Sequence, residues 1–336
     1  TFMKNLSRED IARVQEIIFK YPAFSIVSRP QRQYEVSTSG NLLGYTSEVN
    51  EREIKKDSAY YLPGDFIGKT GIEKAYEKEL RGIKGMKYIQ KDIKLRNVGP
   101  YKNGSLDKYV VTGKDITLTI DYDLQRMAEE MLVNKHGAIV AIDPNNGEVL
   151  VSATGPDIDP NLFTGPNKSR NLYALSKDTI YENKPTFDRS LQAAYPPGST
   201  FKLVDLLALF EDKLADTNTV YDSKGGEITY YNRRVRDSKK GGYGKITLAR
   251  GFEVSSNTIM VQAVYDNYKN NPKKYVDHIN RMKLNQPLGL QIKGEGKPII
   301  PQPGAKNWYG TTLPWMAYGY GVSMTPLQTL TLYNAV

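Results

Sequence analysis

In the run Tyr195-Pro196-Pro197-Gly198-Ser199-Thr200-Phe201-Lys202, a hydroxyl and an amine stand three residues apart. Two prolines and a glycine end one conformation sharply. Phe201, Leu203, Val204, Leu206, Leu207, Leu209 and Phe210 then predict a helix that is apolar nearly all round, and such a helix belongs in a core. Ser199 falls at its N-terminus, where unpaired backbone N–H groups and the helix dipole favour developing negative charge, with Lys202 facing the same side. A serine hydroxyl is a poor nucleophile until a base takes its proton, and a solvated lysine, pKa about 10.4, stays protonated at neutral pH. Burial beside the positive end of a helix lowers a lysine toward the useful range. The plainer alternative makes Ser199 a helix cap and lets Lys202 snorkel to solvent. The same spacing recurs at Ser105-Leu106-Asp107-Lys108, in a turn with no buried helix behind it.

A partner comes at Ser255-Ser256-Asn257, between the apolar segment 246–254 and a second apolar helix beginning at Thr258, for which Asn257 is the expected cap. Ser-x-Asn also occurs at Ser39-Gly40-Asn41 and Ser169-Arg170-Asn171, but only the third copy follows the Ser199 helix and sits between two core segments. Other features invite chemistry and do not support it. Gly64-x-x-x-Gly68-Lys69-Thr70 is one residue short of a phosphate-binding Walker loop, and no buried strand precedes it. The basic run Arg233-Arg234-Val235-Arg236-Asp237-Ser238-Lys239-Lys240, flanked by glycine pairs, reads as a solvated hairpin in preference to a polyanion site. His136 and His278 read as structural. Asp121, Asp123 and Asp143 fit helix-start and turn roles.

The elements that position these groups have ample room. At roughly 150 residues per domain, 336 residues suggest about two domains. With 39% hydrophobic and 25% charged residues, the chain fits neither the disordered nor the membrane class. The absence of cysteine excludes disulfides, thiolate metal sites and cysteine nucleophiles, and two histidines make most Ser-His-Asp arrangements implausible. The net charge of +9 suits an anionic partner but is ordinary for solubility. No metal or organic cofactor is implied.

Residues 1–110 mix short helices and strands: Ser7 with Asp10 marks a capped helix start, and 71–80 reads as one amphipathic helix ending at Gly82. Turn formers over 97–105 mark the approach to a boundary placed near residue 110. Beyond it, 116–120 alternates like a strand and 121–132 reads as a helix. Residues 138–142 and 148–152 form a hairpin around Asp143-Pro144-Asn145-Asn146-Gly147. Thr325, Pro326 and Gln328 give a last helix its cap, first residue and capping box. The sequence opens at Thr1 without an initiator Met or signal peptide, and the apolar pattern of the last helix is still recurring at Val336, so both ends read as cut.

Pro-Pro-Gly-Ser-Thr-Phe-Lys followed by Ser-Ser-Asn resembles the active site of the penicillin-binding transpeptidases, specifically class B. The similarity extends over nearly the whole chain. Gly64-Asp65-Phe66-Ile67-Gly68-Lys69-Thr70-Gly71-Ile72-Glu73, with Tyr76-Glu77 and Leu80-Arg81-Gly82, resembles the pedestal of that class. Residues 137–147 resemble its first transpeptidase hairpin, and Thr325-Pro326-Leu327-Gln328 a helix beyond the second motif. The pedestal segment and Tyr195-Pro196-Pro197-Gly198 look most like the cell-elongation branch, with a septal enzyme as the alternative. Two departures stand out: no Lys-Ser/Thr-Gly follows Ser-x-Asn, the only Lys-Thr-Gly being Lys69-Thr70-Gly71 far upstream, and the N-terminal membrane helix of the class is missing.

The resemblance implies an α+β fold: a partial N-terminal pedestal domain over 1–110, then a partial transpeptidase domain over 111–336 whose mainly antiparallel sheet is covered by helices. It implies cross-linking of peptidoglycan stem peptides. Ser199 attacks the D-Ala-D-Ala carbonyl, Lys202 acts as general base, Ser255 relays a proton to the leaving amine, and Asn257 holds Lys202 and the substrate amide. The Ser199 backbone N–H is one expected oxyanion donor; the other belongs near the missing third motif, so the piece is expected to be impaired. Implied partners are stem peptides, β-lactams and a membrane glycan polymerase, not nucleic acid. The implied place is the outer side of the cytoplasmic membrane, reached through an anchor. A serine β-lactamase or β-lactam sensor, and a non-catalytic basic scaffold of the cell envelope, are the rival readings.

Overall fold

The computed structural model describes residues 2–3, 6–27, 31–94, 96–164, 167–177 and 184–336. The chain forms two units: Thr1–Gly137, Ala153–Asp188 and Gln291–Lys293 make one, and Ala138–Ser152, Arg189–Leu290 and Gly294–Val336 the other.

The first unit begins with α1 (Arg8–Ile17), held at its start by the predicted capping box: Ser7 Oγ accepts from the Asp10 N–H and the Asp10 carboxylate accepts from the Ser7 N–H. After α2 (Gly40–Leu43), β1 (Thr46–Glu48) and β2 (Phe66–Gly68) pair antiparallel around α3 (Glu51–Lys56). The helix expected over 71–80 is two, α4 (Gly71–Ala75) and α5 (Glu77–Leu80). They break at Tyr76, where the turn brings the Glu77 carboxylate to the Tyr61 hydroxyl and the Gly68 N–H, both at 2.6 Å. The stretch 97–105 is not all turn: β4 (Asn97–Pro100) pairs antiparallel with β3 (Ile89–Lys91). Residues 116–120 alternate in burial as expected but stay outside the strand pairs, so the periodicity reports a half-buried extended segment without a ladder. Asp121 caps α6 (Tyr122–Met131), and α7 (Lys168–Ser176) follows. The side chain of Ser169, in one of the dismissed Ser-x-Asn triplets, lies outside the described residues. The predicted hairpin, whose residues Ala138–Ser152 belong to the second unit, forms as β5 (Gly137–Ile142) and β6 (Val149–Gly155), its turn fixed by the Asp143 carboxylate accepting from the Asn145 N–H.

The second unit is built on α8 (Lys202–Glu211) and α10 (Asn257–Tyr268). Between them β7 (Val220–Asp222) pairs antiparallel with β10 (Lys245–Thr247), and β8 (Glu227–Tyr230) with β9 (Arg233–Arg236). The basic run is therefore a hairpin strand: Arg233, Arg234 and Arg236 are exposed while Val235 is buried. Next come α9 (Leu248–Glu253), α11 (Pro272–Arg281), α12 (Thr312–Met316) and α13 (Pro326–Asn334), the last with its predicted Thr325–Gln328 capping box. Ile259, Met260, Val261, Ala263 and Val264 are all fully buried because α10 is surrounded by α8, α9, α11 and α12. Gly251 of α9 lies directly on the Ile259 side chain, so even one methyl there would displace α9. His278 is buried, its Nδ1 2.7 Å from Glu211 and its Nε2 2.8 Å from Asp212, tying α11 to the end of α8, a structural role as expected. No helix among the described residues is long and apolar enough to cross a membrane.

Candidate active site

The nucleophile candidate is carried by a 3₁₀ turn, Gly198–Phe201, which runs straight into α8. The Lys202 N–H donates to the Ser199 carbonyl, closing the turn. Side chains three apart on a 3₁₀ turn eclipse one another, so Ser199 and Lys202 issue from one face. Ser199 is exposed, whereas Lys202 is only 1% exposed. Ser199 thus stands on the surface, where a substrate can reach it, and the Lys202 side chain does not meet bulk water.

Lys202 Nζ lies 2.7 Å from the Ser255 carbonyl oxygen, 2.7 Å from Asn257 Oδ1 and 3.1 Å from Ser255 Oγ. Two of these groups only accept; the hydroxyl can accept or donate. An ammonium satisfies all three with its three N–H bonds. A neutral amine satisfies the two pure acceptors with its two N–H bonds and keeps a lone pair for a hydroxyl proton. The cage therefore tolerates both protonation states without rearrangement, which a general base requires. Burial draws Lys202 down to about 8, a shift that negative charge on the nearby Asp205 or Asp237 carboxyl would oppose.

Ser255 presents both its carbonyl and its hydroxyl because its backbone is left-handed, φ 54, a conformation that costs a non-glycine residue about 1 kcal/mol. The structure corrects the expected cap. Ser256, not Asn257, caps α10, its Oγ accepting from the Ile259 N–H. Asn257 is the first helical residue, and its amide is free to bridge: Nδ2 donates to the Arg236 carbonyl at 2.8 Å while Oδ1 faces Lys202. In the sequence Asp237 stands only as part of the basic run. Its carboxylate accepts from Ser256 Oγ, the Thr258 N–H and Thr258 Oγ1, at 2.9–3.0 Å, and so pins the turn that carries Ser255 and Asn257.

Two further supports escaped the sequence reading. The Gly198 N–H donates to the Gly319 carbonyl at 3.1 Å, and Gly319, at φ 78, packs so closely on Gly198 that a Cβ would overlap the Gly198 carbonyl. Tyr333 of α13 donates to the Thr200 carbonyl at 2.8 Å. The Tyr318-Gly319-Tyr320-Gly321 run was a visible signal of close backbone approach; nothing local marked Tyr333.

The decoys have local roles of their own. Lys69 is paired with Glu53 at 2.5 Å, and Gly44 and Gly71 let the 70–71 turn press on α2, so Lys69-Thr70-Gly71 packs backbone and cradles no phosphate. Ser105 ends a 3₁₀ turn, and Lys108 bridges to Met86.

Residues 137–336 match the model of the penicillin-binding protein transpeptidase domain, and residues 1–118 that of the penicillin-binding protein dimerisation domain. The peptidoglycan D,D-transpeptidases MrdA of Acinetobacter baumannii and Escherichia coli K12 are each 30% identical to the chain over 96% of its length, covering 48% and 52% of those proteins. The chain spans about half the length of these curated relatives. Among solved structures, Pseudomonas aeruginosa PBP2 in complex with WCK 5153 superposes at TM-score 0.75 with 28% identity, over 92% of this chain and 64% of that one. A chain from a peptidoglycan synthase complex that coordinates polymerization and crosslinking superposes at 0.78 with 27% identity, over 98% and 59%. With both family models matched in order, and relatives and structural neighbours of the MrdA and PBP2 kind, the chain belongs to the class B penicillin-binding proteins of the elongation type.

Proposed function

We propose that the protein is a peptidoglycan D,D-transpeptidase that cross-links stem peptides through an acyl-enzyme on Ser199, and that β-lactams acylate the same hydroxyl. The observation that carries this reading is a lysine sealed from water and caged by Ser255 and Asn257, one 3₁₀ turn from an exposed serine.

Lys202 as a neutral amine takes the Ser199 proton as Oγ bonds to the carbonyl carbon of the penultimate D-Ala. The resulting oxyanion is stabilised at the start of the helix, with the Ser199 N–H as one donor. Collapse breaks the peptide bond. The new ammonium of Lys202 hands a proton through Ser255 Oγ, 3.1 Å away, to the departing D-Ala amine. An amine of a neighbouring stem then attacks the ester, giving up its proton to Lys202 along the reverse path and releasing Ser199. Asn257 holds Lys202 throughout and meets the substrate amide.

We place the functional boundary near residue 110, with a pedestal domain over 1–110 and the transpeptidase domain over 111–336. The bridges Ile83–Val111 and Met86–Lys108 support a pedestal that closes on itself there. We place the protein outside the cytoplasmic membrane, held by an anchor; the synthase-complex neighbour, which coordinates polymerization and crosslinking, supports work beside a glycan polymerase.

The test is to give the intact protein peptidoglycan strands with pentapeptide stems and to measure D-Ala release and cross-linked product. Both appear with wild type and vanish with Ser199→Ala. Rapid turnover of penicillin with no cross-links identifies a β-lactamase instead; unchanged activity in Ser199→Ala removes the assignment.

A further inference from the structure

The helix that carries Lys202 carries a second buried titratable group one turn on, Asp205, which is 0% exposed and which the mechanism above does not use. Its Oδ1 lies 2.6 Å from the hydroxyl of Tyr275 on α11, and its Oδ2 has no hydrogen-bond partner among the described residues. A carboxylate here would set one donor against two anionic oxygens without water. Such a group neutralises by binding a proton. As a carboxylic acid it fits its surroundings better: the Tyr275 hydroxyl still donates to Oδ1, now the carbonyl oxygen, and the proton sits on Oδ2, leaving one unpaired O–H, a far smaller penalty than a bare anion.

We propose that Asp205 is held as an uncharged carboxylic acid behind the nucleophile turn, hydrogen-bonded to Tyr275, and that its neutrality leaves Lys202 free to exist as an uncharged amine. The inference rests on the reading of Lys202 as the base. Asp205 is a positioning residue: it meets no substrate and acts through Lys202. The groups coupled to it are Lys202 on its own helix, Tyr275 from α11 and Tyr268 from α10, whose hydroxyl is given to Asp212; Asp237 also acts on Lys202. An ionised Asp205 would hold the proton on Lys202. Burial raises the carboxyl well above its ordinary range and lowers the amine, so both effects drive the pair toward acid plus amine.

Infrared difference spectra of the intact protein at pH 7 test this. Wild type minus Asp205→Asn is expected to show the carbonyl stretch of a protonated carboxyl, and Tyr275→Phe to move that band to higher frequency. The acid limb of penicillin acylation in Asp205→Asn should coincide with that of wild type within a few tenths of a pH unit. No band, or an acid limb displaced downward by about one pH unit or more, the sign of a carboxylate removed from beside an ammonium, overturns the proposal. Should Asp205→Asn not fold, the band in wild type and its shift in Tyr275→Phe decide. Complete failure of penicillin to acylate the protein would count against Lys202 as the base, and the infrared band would still decide the state of Asp205.

Discussion

Asn257 Oδ1 lies 2.7 Å from Lys202 Nζ, and the same amide donates through Nδ2 to the Arg236 carbonyl, so its orientation is fixed by the β9 backbone. The lysine is therefore aimed by a side chain that cannot flip without losing both contacts. In Asn257→Ala the amine loses an acceptor and the Arg236 carbonyl a donor. Stability should fall by about 1–3 kcal/mol, read by denaturant unfolding. Penicillin acylation should slow at least tenfold, beyond what the stability loss explains.

As the proposed base Lys202 must be uncharged, and burial draws it to about 8. Below that value the acylation rate should rise about tenfold per pH unit, then level off above it. Stability carries a matching signature. The unfolded lysine keeps its proton up to about pH 10.4 while the folded one loses it near 8, so this group makes stability rise with pH across that window. Lys202→Met should lack a rise of order 2 kcal/mol that wild type shows between about pH 8 and 10. Denaturation of both proteins at the two pH values checks the difference.

Asp237 is the lock on the Ser255–Asn257 turn, accepting from Ser256 Oγ, the Thr258 N–H and Thr258 Oγ1. Asp237→Ala strands buried donors and should destabilise by about 2–3 kcal/mol, with acylation reduced tenfold or more. Asp237→Asn keeps an acceptor at Oδ1 and should recover most of both. Thermal melts paired with acylation rates distinguish the two variants.

Gly319 and Gly321 form an internal control. Both have positive φ, 78 and 75, but a methyl on Gly319 would overlap the Gly198 carbonyl while one on Gly321 meets nothing closer than Trp315 Cβ at 4.0 Å. Each alanine costs about 1 kcal/mol of backbone strain. Only Gly319→Ala should displace the nucleophile turn, cutting acylation by about a hundredfold, while Gly321→Ala stays within a few-fold of wild type.

Much of this is legible in the sequence, because local chemistry decides it. The proline-glycine stop before Ser199, the all-apolar helix behind it, the three capping boxes or caps at Ser7, Asp121 and Thr325, and the hairpin at 143–147 all follow from short-range sequence. The capping of α10 was misassigned by one residue because Ser256 and Asn257 are both good caps, and only the tertiary claims of Lys202 and Arg236 on Asn257 decide between them. The break at Tyr76 and the placing of 116–120 outside the strand pairs escape the sequence for a related reason. Periodicity reports which face is buried, not whether a helix continues or a ladder partner exists. Asp237, Gly319 and Tyr333 reach the site from 18 residues before Ser255 or from more than 100 residues after Ser199, distances over which sequence spacing carries no geometric information.

The central claim is that the exposed Ser199 hydroxyl is the group activated by Lys202. Mass mapping of proteolytic peptides after penicillin treatment tests it most directly. The account predicts one adduct, on the peptide containing Ser199, absent in Ser199→Ala and formed at least a hundredfold more slowly in Lys202→Ala. An adduct on any other residue, or one that forms at the wild-type rate without the Lys202 amine, would contradict it.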